Sequence, residues 1–259
     1  MRINKYLSER GLCSRREADS WVETGRVSIN GVIATLGTKV EAADEVRVDG
    51  RLVGAETAHV YIALHKPVGV ECTTDPRVPR NVVGFVAHRE RIFPIGRLDK
   101  DSEGLLLMTN DGDIVNDLLR ANHGHEKEYI VTVDRPVTGA FLHAMANGVE
   151  ILDRITAPCR VHQVSKNVFR IVLTQGLNRQ IRRMCEVFGY TVRRLVRVRF
   201  VNILLEGIAP GRWRNLTRAE LAGLLPDRFG PGTADATAVG ARRASGGTNR
   251  DVRPPRRGR

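Results

Sequence analysis

A chain of 259 residues, 42% of them hydrophobic, is long enough for one ordinary domain with a smaller companion and can fill a core, which excludes a wholly disordered protein. Lys and Arg outnumber Asp and Glu by 41 to 29, and the formal net charge of +12 points to a polyanionic partner, nucleic acid first. Cys13, Cys72, Cys159 and Cys185 lie too far apart for a zinc site or a disulfide framework, and no apolar leader or run of roughly 18 apolar residues is present, so a cytoplasmic protein without metal is expected.

In chain order, Ile3, Tyr6 and Leu7 recur at helical spacing up to Gly11, and Ser14-Arg15-Arg16-Glu17 reads as a capping box that opens a second helix closed by Gly25. Two short strands are expected at Val27–Ile29 and Val46–Val48, the first ending in Asn30-Gly31, the sequence of a type I′ hairpin turn. Arg2, Lys5, Arg10, Arg15 and Arg16 gather on the two helices. On charge alone that is either a solvated helix face or a nucleic-acid-binding one. The run from Arg2 to Ala34, with its S-R-R-E-A helix start and V-S-I-N-G hairpin, resembles the S4 domain, a small RNA-binding module. The resemblance implies that Arg2, Lys5, Arg15 and Arg16 contact RNA.

From Val60 onward, strands are expected at Tyr61–Leu64, Gly104–Met108, Glu128–Val133, Val168–Leu173 and Leu195–Leu205. Helices are expected at Asp113–Arg120, Thr138–Asn147 and Asn178–Phe188, and a last one capped by Thr217 and Glu220 ends near Leu225. The elements lack regular βαβ alternation, so the fold class is α+β, a small S4-like domain followed by a domain with a large, mostly antiparallel sheet. The expected division is 1–59, 60–225 and an Arg/Gly/Pro-rich tail at 226–259, which lacks apolar periodicity and is expected to be disordered. The tail carries eight Arg against three Asp and the first segment is neutral, so most of the excess positive charge, +7, belongs to the middle. Trp21 and Trp213 are read as core residues, and His123, His125 and Glu126 as surface residues rather than metal ligands.

The densest polar cluster in an apolar setting runs from Gly96 to Gly104, Gly-Arg-Leu-Asp-Lys-Asp-Ser-Glu-Gly, directly before the apolar Leu105-Leu106-Leu107. Such a loop can hold Asp99 at the mouth of a cleft beside Arg97 and Lys100 as a nucleophile or base, and it can equally be an ordinary polar turn. The string G-R-L-D-x-x-S-x-G-L-L-L, preceded by Lys66-Pro67-Val68-Gly69 and followed by Lys127-Glu128-Tyr129 and Gly176-Leu177-Asn178-Arg179-Gln180-Ile181-Arg182-Arg183-Met184, resembles the RsuA-type pseudouridine synthases. These are ribosomal RNA enzymes that join an S4 domain to a catalytic domain. The strings FPIGRLDKDS, HEKEY and GLNRQIRRMCEVFGY are most similar to the synthase F type, which acts on the large ribosomal subunit.

The resemblance implies that Asp99 attacks the target nucleoside at C1′ or at C6, or acts as a base on a glycal path, and that uracil detaches, turns and rejoins through C5. It further implies that Arg182 pairs with Asp99 and that Tyr129 stacks on the base. Arg97, Lys100, Arg179 and Gln180, with Ile181 beside them, hold the flipped nucleotide, and Leu98 fills space around it. The implied partner is ribosomal RNA, in the large subunit, with transfer RNA or small-subunit RNA as alternatives. No cofactor, nucleotide or membrane is implied, and a monomer is expected. The rival reading is a noncatalytic S4-domain factor in ribosome assembly.

Overall fold

The Ser14 hydroxyl accepts a hydrogen bond from the Glu17 amide while the Glu17 carboxylate accepts one from the Ser14 amide, closing the expected capping box. The computed structural model describes residues 1–55, 57–119, 124–231 and 233. Helices α1 (Ile3–Glu9) and α2 (Arg15–Glu23) pack Ile3, Leu7, Ala18 and Val22 over a small sheet of β1 (Val27–Ile29), β2 (Val32–Ile33), β3 (Val46–Val48) and β4 (Arg51–Leu52), in the order β2-β1-β3-β4. Asn30 and Gly31 both take positive φ, 51° and 82°, as the tight turn between β1 and β2 requires. Trp21 packs against this core.

The larger unit runs β5 (Tyr61–Lys66), α3 (Val82–Val86), β6 (Phe93–Ile95), β7 (Glu103–Thr109), α4 (Asp113–Leu119), β8 (Lys127–Val133) and α5 (Gly139–Ala146). It continues with β9 (Glu150–Ile151), β10 (Arg154–Ile155), β11 (Arg160–Ser165), β12 (Val168–Leu173), α6 (Gln180–Val187), β13 (Val192–Phe200), β14 (Ile203–Leu204), β15 (Trp213–Asn215), α7 (Arg218–Leu224) and α8 (Pro226–Phe229). Its main sheet has the order β11-β12-β8-β13-β7-β5-β15, with β6 added to β7 and β14 to β13. Of these pairings only β13 with β7 is parallel, so the large, mostly antiparallel sheet is as expected.

Strands β5 and β7 are buried at nearly every position because both faces are covered. Ala63, Leu105 and Leu107 face a core closed by α4 and α7, while Ile62, Leu64, Leu106 and Met108 face a second core closed by α3. A third core lies between β8, β12 and β13 and the helices α5 and α6. Tyr129 packs against both the second and the third core, at the seam where they meet.

Three expectations are corrected. The apolar stretch Leu195–Leu205 is a hairpin rather than one strand: β13 ends at Phe200 and β14 begins at Ile203. Val201 makes the turn at φ 53°, a conformation that a β-branched residue rarely adopts and that composition does not signal. Helix α6 begins at Gln180 because Arg179, its N-cap, is left-handed at φ 50°. The ordered chain also extends past Leu225, since Pro226 opens α8 and Phe229 is buried in the core beside Tyr61. The remainder of the expected tail, from 234 to 259, and His123 lie outside the described residues. Among the described residues no helix is long and apolar enough to cross a membrane.

Candidate active site

Asp99 sits on the connection between β6 and β7, which is closed locally by a turn in which the Ser102 amide donates to the Asp99 carbonyl at 3.1 Å. This turn accounts for the spacing D-x-x-S. A second strand of chain holds the loop from outside: the Gly69 amide donates to the Lys100 carbonyl at 2.7 Å. Lys66 is fully buried beneath, with Nζ donating to the carbonyls of Pro67 and Val70. Burial pushes the Lys66 ammonium below its usual range, against the nearby charges of Cys72, Asp101, Asp99 and Glu103. The K-P-V-G motif is thus the underside of the loop that carries Asp99. The Leu98 amide donates to Cys72 Sγ at 3.3 Å, and burial keeps that thiol protonated by raising its pKa.

The loop faces a cleft of about 970 Å³. Asp99, Tyr129, Arg97, Leu98, Lys100, Arg179, Gln180 and Ile181 all line it, although they come from three separated stretches of chain. Asp99 is partly accessible, with its side chain 31% exposed, and Arg179 Nη1 stands 3.7 Å from its Oδ2. Leu98 and Ile181 are buried in the flanking cores and give the cleft apolar walls. Arg97 and Lys100 are exposed at the rim, Lys100 in an ion pair with Glu71 at 2.7 Å.

Arg182 does not pair with Asp99. It is buried, and its Nη2 donates to the Asp101 carbonyl at 3.0 Å and to Ser102 Oγ at 3.1 Å, with the Asp101 carboxylate 3.3 Å away and the Val192 carbonyl on Nη1. Its place behind the loop follows from the helix period, which turns Ile181 toward the cleft and Arg182 toward the Asp101-Ser102 backbone. Desolvation opposes ionisation of Asp101, but the hydrogen bond from Arg179 and the charges of Arg182 and Arg179 outweigh it and hold that carboxyl below the usual range. Arg182 therefore meets Asp99 only through the loop that carries it. Arg182→Met, which keeps the stem and removes the guanidinium, is expected to lower kcat by about 100-fold with KM nearly unchanged, since a small misplacement of a reacting group has that effect. Single-turnover rates on an RNA substrate measure this, and an unchanged rate would reject the assignment.

Gln180 is also more structural than expected. Its Oε1 accepts from the Leu177 amide and its Nε2 donates to Gln175 Oε1, so it braces the 175–180 loop. In the small domain Arg2, Arg15 and Arg16 are exposed, whereas Lys5 is held by Asp113 at 2.7 Å and Glu9 at 3.4 Å. Lys5 thus ties the small domain to the large one instead of presenting a free cation. Two cleft cations were given no role by the sequence, Arg197 on β13 and Lys127 on β8. Only the register that sets Arg197 opposite Tyr129 brings them to the site.

A carboxylate on a braced loop, a tyrosine lining the same cleft, apolar walls and a basic rim can support covalent or base chemistry on one ring of a polyanion.

Residues 60–187 match a family model described as RNA pseudouridylate synthase, and residues 1–46 match the S4 domain. The chain is 56% identical over 225 residues to the dual-specificity RNA pseudouridine synthase RluF of Salmonella typhi, covering 86% of this chain and 78% of that one. It is 34% identical over 229 residues to the ribosomal large subunit pseudouridine synthase B of Bacillus subtilis, covering 85% and 93%. A solved structure of a pseudouridylate synthase aligns with a TM-score of 0.64 at 27% identity, over 86% of this chain and 99% of that one.

Proposed function

The chain belongs to the RNA pseudouridylate synthase family, and on that premise we propose that it converts a specific uridine of large-subunit ribosomal RNA to pseudouridine, with Asp99 as the catalytic carboxylate. The reaction is an isomerisation. The C1′–N1 bond breaks, uracil turns within the site, C5 bonds to C1′, and the proton on C5 is lost while N1 gains one. Nothing is oxidised or reduced.

The observation that carries the site assignment is the convergence of Asp99 and Tyr129 on one cleft whose walls are apolar and whose rim carries Arg97, Lys100 and Arg179. In this reading the rim cations hold phosphates of the RNA backbone and the target nucleotide turns out of its stack into the cleft, against Tyr129. Gln180 and Ile181 shape the wall, Leu98 fills the space beside the base, and Arg182 positions the loop. Residues 1–59 form the RNA-gripping unit through Arg2, Arg15 and Arg16, and 60 onward the catalytic one. The work is done by a monomer in the cytoplasm, where its RNA lies.

The ribosomal target is supported by the large-subunit name of the Bacillus relative. A second substrate, transfer RNA, belongs to the same proposal because the relative with 56% identity is named as having dual specificity. Position-resolved pseudouridine mapping of ribosomal and transfer RNA, from cells with and without the protein, tests both. The expected result is one large-subunit site that disappears and returns with the wild-type protein, accompanied by one transfer RNA site. Unchanged large-subunit RNA with a lost site elsewhere would reject the ribosomal target, and unchanged RNA throughout would favour an assembly role.

A further inference from the structure

Arg197 has no role in the scheme above, yet its position is among the most constrained in the cleft. Its side chain is only 4% exposed and lines the cavity that Asp99 faces. Its Nε donates to the Leu105 carbonyl at 2.6 Å, which anchors the guanidinium to β7 two residues from the end of the catalytic loop. Its backbone lies against Gly104. Among the described residues no acid or carbonyl engages Nη1 or Nη2, and neither is sealed from solvent without a partner.

The register places Arg197 directly across from Tyr129, so the two side chains leave the same face of the sheet as neighbours. Lys127, two residues before Tyr129 on β8, turns to that face as well, and among the described residues its Nζ hydrogen-bonds only to the carbonyls of His125 and Thr174, each at 3.5 Å. Lys127 Nζ and the Arg197 guanidinium carbon each stand 5.8 Å from the centroid of the Phe200 ring, neither forms an ion pair among the described residues, and burial first, then the charge of Arg197, lowers the pKa of Lys127. Arg97, Lys100 and Arg179 are accessible at the mouth of the cleft. Arg197, which is buried, lies deeper in the cleft than these three.

We propose that Arg197, with Lys127 beside it, takes up the negative charge that develops on uracil as N1 leaves the ribose. When the C1′–N1 bond breaks, its electron pair goes to N1 and spreads onto O2 and O4, and fixed N–H donors aimed at those oxygens stabilise the detached anion until C5 rejoins C1′. The proton lost from C5 and the one gained at N1 balance the step. The inference rests on the placement of Asp99 and Tyr129 about the target base.

The test uses the full-length protein and two synthetic RNAs of the mapped target sequence, one with uridine and one with 5-fluorouridine at the site. Fluorine stabilises the departing anion by itself, so it lessens the need for a protein cation. The readouts are chromatographic loss of the starting nucleoside under single-turnover conditions, and Kd for each RNA. Arg197→Met is expected to slow loss of uridine by about 100- to 1,000-fold, the usual effect of removing one such donor. Loss of 5-fluorouridine should slow at least about tenfold less, with Kd within about threefold. Equal slowing on both RNAs overturns the proposal in favour of a structural role, and a loss confined to Kd overturns it in favour of a phosphate contact. Lys127→Met leaves the bond to the Leu105 carbonyl intact, and it must show the same sparing by fluorine even if Arg197→Met is unstable. Wild-type protein that leaves both RNAs unchanged would instead reject the underlying site reading.

Discussion

Asp99→Asn is expected to lower the single-turnover rate of pseudouridine formation by at least about 10⁴-fold while leaving Kd for the RNA within about threefold of wild type. The amide has the shape of the carboxylate but is neither a nucleophile toward a ribose or uracil carbon nor a base at neutral pH, so the chemical step loses its reactant. The loop should keep its form, because its braces do not use the Asp99 carboxylate. They are the Ser102 amide on the Asp99 carbonyl, the Gly69 amide on the Lys100 carbonyl and Arg182 on the Asp101 and Ser102 acceptors. In the proposed reading affinity depends on rim and small-domain cations that the substitution leaves in place, and removing one negative charge near phosphate does not weaken it. Rates from rapid quench and Kd from filter binding decide the matter. A variant that forms product at the wild-type rate removes Asp99 from the mechanism, and one that fails to bind makes it a structural residue.

Gly104→Ala is expected to lower stability by about 4 kcal/mol and the unfolding midpoint by about 10 °C, large for a single methyl group. A Cβ at Gly104 would lie 2.3 Å from the Arg197 carbonyl oxygen and 2.6 Å from its nitrogen, both backbone atoms of the one parallel pairing in the main sheet. Its φ of 109° is also one that L residues rarely adopt. To relieve the contact β7 must part from β13, which moves the catalytic loop on one side and Arg197 on the other. Loss of activity should therefore accompany loss of stability. Gly139→Ala is the control, since Gly139 begins α5 with nothing within 4 Å of the added methyl, and it should change stability by less than about 1 kcal/mol. Calorimetry on the two variants separates these outcomes, and equal midpoints would mean that the β7–β13 contact is looser than described.

Local chemistry explains which parts of this protein were legible in advance. The capping boxes at Ser14–Glu17 and Thr217–Glu220 and the Asn30-Gly31 turn are interactions within three or four residues, so the residues that make them stand together in the string. The catalytic loop is of the same kind, since Asp99 and Ser102 close their own turn. The doubly covered strands β5 and β7 also showed themselves, because burial on both faces leaves an unbroken apolar run. The hairpin after Phe200 did not, because Val201 carries no turn signal and its conformation is held by pairing across β13 and β14.

Family and reaction were therefore determined by the sequence itself, because the motifs that specify them are short and each is read in place. Tertiary structure decided the partners. Lys5 was assigned to RNA and belongs to Asp113, and Arg182 was assigned to Asp99 and belongs to Asp101 and Ser102. Arg197 had no assignment and reaches the cleft through a hydrogen bond that spans 92 residues. A long cationic side chain has the same character in any string of residues, and its function depends on which strand or helix the fold sets beside it.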